Sequence, residues 1–245
     1  SLNDINNIPF FFIVGRPRSG TTLLRTLFDA HPNVCIPPEC KFALDLAPAY
    51  RKVKRWNEDV IDRFLRDLQD QIFIELWKLD FTKLKNELMK AGPEMDYTEV
   101  CRQVYYSYRC LFEKEEILLF GDKNPGYTIY TEKLEKLFPG SKFIHITRDY
   151  RDNYISIRNV DFELPLVSMV SEKWKYFVRK FRKSARKQPH SYREVRFEDL
   201  VTNPENVLRE LSVFLGIEYH AEMVDYHTKK QYLLSIYPPE FIYKC

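Results

Sequence analysis

The run Phe10–Leu24 constrains this chain more than any other stretch. Phe10 to Val14 are aromatic, β-branched and apolar without polar alternation, which predicts a buried strand. Gly15 and Gly20 bound a loop, and Thr21 and Thr22 then open a helix. Leu23, Leu24, Leu27 and Phe28 share one face of that helix, which is expected to run from Gly20 to Ala30 and to stop before His31-Pro32. Backbone N–H groups at such a helix start form an anion site, reinforced by the helix dipole. The frame G-x-x-x-x-G is that of a phosphate-binding loop, yet Thr21 stands where an NTPase carries its lysine. A permanent positive charge lies inside the loop instead, at Arg18, a forked donor suited to an oxygen bridging two anionic groups.

Strand and helix signals alternate along the rest of the chain. Residues 56–79 and 97–113 show helical spacing, with Phe64, Leu65, Leu68, Ile72 and Leu76 on the first face. Leu118–Gly121 reads as a short buried strand ending in Asp122-Lys123-Asn124-Pro125, followed by a helix from about Tyr127 to Phe138. Lys142–Thr147 is the next strand, with a helix through Ile157 after Arg148-Asp149, and a long basic helix spans roughly 166–187. Tyr192–Arg196 reads as a further strand, and Asn203-Pro204-Glu205 caps a helix with Gly216 just beyond its end. This order predicts an α/β, P-loop-type three-layer α/β/α domain with a central, mainly parallel sheet, 1–245 forming one domain. Ligands of such sheets lie beyond the carboxyl ends of the strands, where Arg16–Thr22, Asp122–Pro125 and Arg148–Ser156 all fall.

Composition narrows the partners. A formal net charge of +3 is too small an excess to argue for nucleic-acid binding. No apolar run reaches the ~20 residues that span a bilayer. The five cysteines (Cys35, Cys40, Cys101, Cys110, Cys245) are odd in number and form no CxxC pair, so reduced thiols, a cytoplasmic location and no metal site are expected. The first residue is Ser1, and a lost leader or membrane anchor stays open. A homodimer stays open as well.

The strand ends carry the chemistry. Lys123 is a candidate second positive contact beside the anion loop, if the two strands are neighbours. Arg148 opens the third segment and Ser156 follows eight residues later, about two helical turns along. A guanidinium and a hydroxyl so spaced can hold a second phosphate, which suggests a ligand with two separated anionic ends. His145 lies within a strand and reads as a core histidine, and His31 at a helix stop as a cap. The basic helix around Trp174 reads as a solvated amphipathic face.

Together these residues resemble the sulfotransferases that use 3′-phosphoadenosine 5′-phosphosulfate (PAPS). Gly15-Arg16-Pro17-Arg18-Ser19-Gly20-Thr21-Thr22 is similar to that family's 5′-phosphosulfate loop, and Arg148 with Ser156 matches its 3′-phosphate motif. Asp29-Ala30-His31-Pro32, Asp122-Lys123-Asn124-Pro125 and Arg196-Phe197-Glu198-Asp199-Leu200 resemble the protein-tyrosine sulfotransferase branch and its bacterial relatives. The resemblance covers roughly residues 9–216, with a weakly matched middle from about 45 to 115.

It implies that Arg16, Arg18, Ser19, Gly20, Thr21, Thr22, Arg148 and Ser156 bind the nucleotide. It further implies that Arg18, Glu39 and Lys123 carry catalysis, with PAPS as sulfuryl donor and no metal. Glu39, 21 residues after Arg18, matches the branch's general base. The chain can return there: nine residues including Pro37-Pro38 span up to roughly 30 Å, against about 16 Å of helix. The acceptor is expected to bear a hydroxyl, on a carbohydrate, a lipid, a small molecule or a peptide tyrosine. Phe197 stands where relatives often carry tyrosine, so a hydroxyl contact to the nucleotide is expected to be missing. The family's C-terminal basic segment does not appear in the Tyr/Pro-rich stretch before Cys245; the chain is short there or continues beyond it. Two other readings stay open, a P-loop nucleotide kinase and a non-catalytic nucleotide-binding module.

Overall fold

A computed structural model describes residues 2–110, 112–160 and 162–225. Among these residues five strands form one sheet: β1 (Phe10–Gly15), β2 (Val34–Cys35), β3 (Leu119–Lys123), β4 (Lys142–Thr147) and β5 (Tyr192–Arg196). They lie in the order β2-β3-β1-β4-β5, and every pairing is parallel. Parallel strands need crossover connections, which put helices on both faces and leave each strand buried on both sides. β1 shows the result, since all six of its residues are buried. Phe10, Phe12 and Val14 enter one core and Phe11 and Ile13 the other. The first core packs against the helices Glu58–Gln69, Phe81–Ala91 and Tyr97–Tyr106 and against Phe181 of the helix Val167–Lys187; the second packs against Thr21–Asp29 and Pro204–Leu215. The expected three-layer α/β/α architecture is what forms.

Several boundaries differ from the sequence expectation. The helix expected across 56–79 starts at Glu58, where Asn57 accepts from the Val60 N–H, and ends at Gln69. The chain turns there, Phe73 adopts φ 71°, and a 3₁₀ turn covers Ile74–Trp77. Ile72, expected on the buried helical face, is 76% exposed. The helix expected over 127–138 is instead a 3₁₀ turn, Pro125–Ile129, and a separate helix, Thr131–Leu137. The helix in 97–113 ends at Tyr106, and β3 begins after an exposed Leu118 and runs on to Lys123. Pro204 sits in the first turn of its helix and Gly216 ends it at φ 81°, but Asn203 makes no side-chain capping bond. Cys35, Cys40 and Cys101 are buried and Cys110 is half-buried; Cys245 and the C-terminal Tyr/Pro-rich stretch lie outside the described residues.

The topology places the site. β1 is central, so the loops that follow β1, β3 and β4 leave side by side from the same edge of the sheet. These are the three segments singled out from sequence.

Candidate active site

The anion loop is shaped by close approach. A Cβ on Gly15 would lie 2.6 Å from the Ile146 carbonyl oxygen, so glycine is what allows the last residue of β1 to pair with Ile146 of β4. Gly20 adopts φ 95° at the N-cap of the Thr21–Asp29 helix, and a Cβ there would run into the Phe197 ring. Arg18 also lies in the left-handed region, at φ 68°, where non-glycine residues are uncommon. The turn is fastened from two sides. Asn153 Nδ2 donates to the Pro17 carbonyl at 2.8 Å and to Ser19 Oγ at 3.3 Å, and Thr128 Oγ1 lies 3.2 Å from the Gly15 carbonyl oxygen.

Arg18, Arg148 and Ser156 meet across this loop. Arg18 Nε donates to Ser156 Oγ at 2.9 Å, and Arg148 Nη1 reaches the Arg18 carbonyl at 3.5 Å. The Arg148 guanidinium stacks 4.6 Å from the Phe197 ring centroid, while its Nε is buried with no hydrogen-bond partner. Trp174 Nε1 donates to the Arg148 carbonyl at 2.9 Å. That helix therefore does more than present a solvated face, because one indole on it braces the third strand end. Glu198, from the segment after β5, accepts from the Asp149 N–H at 2.9 Å.

Arg16 is engaged elsewhere. Its Nη2 pairs with Glu163 at 2.5 Å, the two side chains being 5% and 4% exposed, and Lys173 Nζ lies 3.4 Å from the same carboxylate. Burial alone would push the Glu163 carboxyl up, but bonding from Arg16 and the Lys173 charge hold it below the usual range. A buried cation needs such a partner. Glu163 carries no local sequence signal, whereas Asn153, not among the residues expected from sequence, has one: it lies three residues before Ser156 and so on the same helical face.

Glu39 and Lys123 come together as one unit. Lys123 Nζ donates to Glu39 Oε2 at 2.9 Å, with Lys123 almost buried and Glu39 30% exposed. Glu39 lines a cavity of about 380 Å³ together with Cys40, Lys41, Asp45, Asp70, Gln71, Ile72 and Phe73. Behind the pair, Asp122 is buried and accepts from the Tyr105 hydroxyl and from Asn124 Nδ2. Burial pushes its carboxyl up to about 7, against the opposing effect of those two bonds.

His145 is the core histidine expected. It stacks 4.4 Å from Phe181, its ring nitrogens have no partner, and burial pulls it down to about 4. His31 is used structurally: Nδ1 accepts from the Asn33 N–H at 3.0 Å and Nε2 lies 2.8 Å from the Glu218 carbonyl.

Asp122 and His145 act on stability with opposite sign. The Asp122 contribution is full below about pH 4 and is lost as pH rises through about 7, because the folded state holds that proton more tightly. The His145 contribution is full above about 6.5 and is lost as pH falls through about 4, because the folded state resists that proton. Urea unfolding between pH 4.5 and 6.5 should therefore show a stability that rises with pH in Asp122→Asn and falls with pH in His145→Phe. Wild-type slopes retained in both variants would remove this account.

Among the described residues no group of three His, Cys, Asp or Glu side chains is placed to hold a metal ion, and no helix is long and apolar enough to cross a membrane.

The model of the sulfotransferase family matches residues 9–221. The chain is similar to protein-tyrosine sulfotransferase A of Caenorhabditis elegans, 30% identical over 224 residues, covering 86% of this chain and 50% of that protein. It is similar to protein-tyrosine sulfotransferase 2 of Gallus gallus, 28% identical over 221 residues, covering 86% and 52%. The chain thus spans about half the length of these two relatives. Among solved structures, the sulfotransferase domain of the Synechococcus PCC 7002 olefin synthase shares the fold, with a TM-score of 0.62 at 24% identity over 96% of this chain and 82% of that one. With the family match running from the strand before the anion loop to beyond the helix Pro204–Leu215, this chain belongs to the sulfotransferase family.

Proposed function

We propose that the chain transfers a sulfuryl group in line from PAPS to a hydroxyl acceptor, with Glu39 as general base. The reading is carried by the convergence, at the ends of adjacent parallel strands, of the Arg18–Ser156 contact and the Glu39–Lys123 pair. The residues present suit the nucleotide. The N–H groups of Ser19, Gly20, Thr21 and Thr22 lie at the start of a helix, where they suit a 5′-phosphate, and the unpartnered Arg148 Nε is a buried donor that a 3′-phosphate oxygen would satisfy.

PAPS supplies an activated sulfur–oxygen bond. Arg18 stabilises the bridging oxygen, which keeps the electron pair of the breaking bond. Lys123 neutralises the equatorial sulfuryl oxygens while still holding Glu39. Glu39 takes the proton of the acceptor hydroxyl as that oxygen bonds to sulfur. Arg148 and Ser156 hold the far end of the nucleotide, so that remote binding energy orients the reacting end. Arg16, through Glu163, steadies the loop.

The cavity at Glu39 is where the acceptor enters. Its lining carries three carboxylates (Glu39, Asp45, Asp70) against one ammonium, Lys41. Transfer of labelled sulfate from PAPS is expected to tyramine, 4-ethylphenol and 4-hydroxyphenylacetate, with kcat/KM about tenfold higher for the cation than for the anion. No transfer to any hydroxyl acceptor despite tight binding of 3′-phosphoadenosine 5′-phosphate would leave a nucleotide-binding module. Magnesium-dependent binding of ATP in its place would leave a kinase.

A further inference from the structure

The segment that carries Glu39 cannot support itself. Pro37 and Pro38 lack N–H groups, so the chain after β2 cannot continue the sheet ladder, and β2 stops at Cys35. Carbonyls of this buried run must then find donors elsewhere. Three side chains supply them at alternate residues. Arg25 Nε donates to the Ile36 carbonyl at 3.1 Å, Trp77 Nε1 to the Pro38 carbonyl at 3.0 Å, and Asn124 Nδ2 to the Cys40 carbonyl at 3.1 Å. All three donors are buried, at 5%, 1% and 1% exposure. They come from three elements: the helix that starts at the anion loop, the 3₁₀ turn Ile74–Trp77, and the residue after β3.

Each donor is itself anchored. Arg25 Nη2 pairs with Asp29 at 2.9 Å and bonds the Tyr108 hydroxyl at 3.2 Å. Asn124 also donates to Asp122, which the Tyr105 hydroxyl bonds in turn. The Trp77 ring packs edge-on against Phe42 at 5.6 Å. Glu39 lies between the carbonyls held by Trp77 and Asn124, and its side chain is left to meet Lys123.

We infer that Arg25, Trp77 and Asn124 are positioning residues that set the Glu39 carboxylate for proton transfer by gripping the backbone on both sides of it. The inference rests on Glu39 being the base, as proposed above. Arg25 has a second consequence. It stands on the same helix as Thr21 and Thr22, so the phosphate-binding end and the base segment are carried by one rigid rod. An in-line reaction needs donor and base held at fixed separation, and misplacement of order 1 Å costs about 10²-fold.

A double-mutant cycle tests this. Trp77→Phe removes one N–H and keeps a ring, and should lower kcat about tenfold while the Kd for 3′-phosphoadenosine 5′-phosphate stays within about twofold. In a Glu39→Gln background the same change should alter kcat by less than about twofold, because there is no base left to misplace. Asn124→Ser, run through the same cycle, covers the case in which Trp77→Phe does not fold. An equal loss of kcat in both backgrounds makes the clamp merely structural and overturns the inference, as does no loss in either. Should Glu39→Gln retain wild-type kcat, the base assignment itself fails, whatever the cycle shows.

Discussion

Glu39→Gln is expected to lower kcat by about 10²–10⁴-fold, the usual worth of a positioned general base. The amide keeps an oxygen within reach of Lys123 Nζ, which now sits 2.9 Å from the carboxylate, so the lysine is not left wholly without an acceptor. Nucleotide affinity should stay within about twofold, since the loop amides, Arg148 and Ser156 are untouched. Glu39→Ala should lose a similar factor in kcat and also some stability, because Lys123 is only 8% exposed and an unpaired buried ammonium is costly. Comparing rate, calorimetric binding of 3′-phosphoadenosine 5′-phosphate and urea stability separates the two effects. A glutamine variant with wild-type kcat would remove Glu39 from the chemistry.

Arg18 offers the second large effect, and there stability and activity part company. The residue carries the proposed working charge at a backbone angle, φ 68°, that disfavours any side chain. Arg18→Gly and Arg18→Ala both remove the guanidinium and its bond to Ser156, and both should lose about 10²–10³-fold in kcat. Only glycine relieves the backbone, so the glycine variant should be the more stable of the two by about 1 kcal/mol. Equal stabilities would mean that the loop relaxes freely. Equal activities in wild type and both variants would mean that Arg18 plays no part in transfer.

Local signals account for what could be read in advance. The β1–loop–helix unit was legible because strand character, both glycines and the helix face all lie within a few residues of one another. The spacing of Arg148 and Ser156 was legible for the same reason. Glu163 was not, since its partner Arg16 lies 147 positions away. Nor was the break after Gln69: Phe73 takes a left-handed backbone with neither Gly nor Pro to announce it, so the apolar spacing read straight through to Leu76. The 127–138 segment reads as one helix because a 3₁₀ turn and a short helix bury a similar apolar pattern to one longer helix. The grip on the Glu39 segment was half visible. Pro37-Pro38 show in the sequence that two donors are missing, but Arg25, Trp77 and Asn124 become neighbours only once the sheet has formed.

The central place of β1 also governs the order in which the molecule can assemble. Phe10 pairs with Phe120 and Phe11 with Lys142, so the strand made first waits for partners more than about 100 residues downstream. At ~5–20 residues per second, synthesis leaves the run Phe10–Val14 uncovered for on the order of ten seconds. Such a segment, apolar, uncharged and rich in β-formers, is one that self-associates. The loop that follows it leaves β1 at Gly15, which packs against Ile146, so its final shape depends on a strand that β1 must wait for.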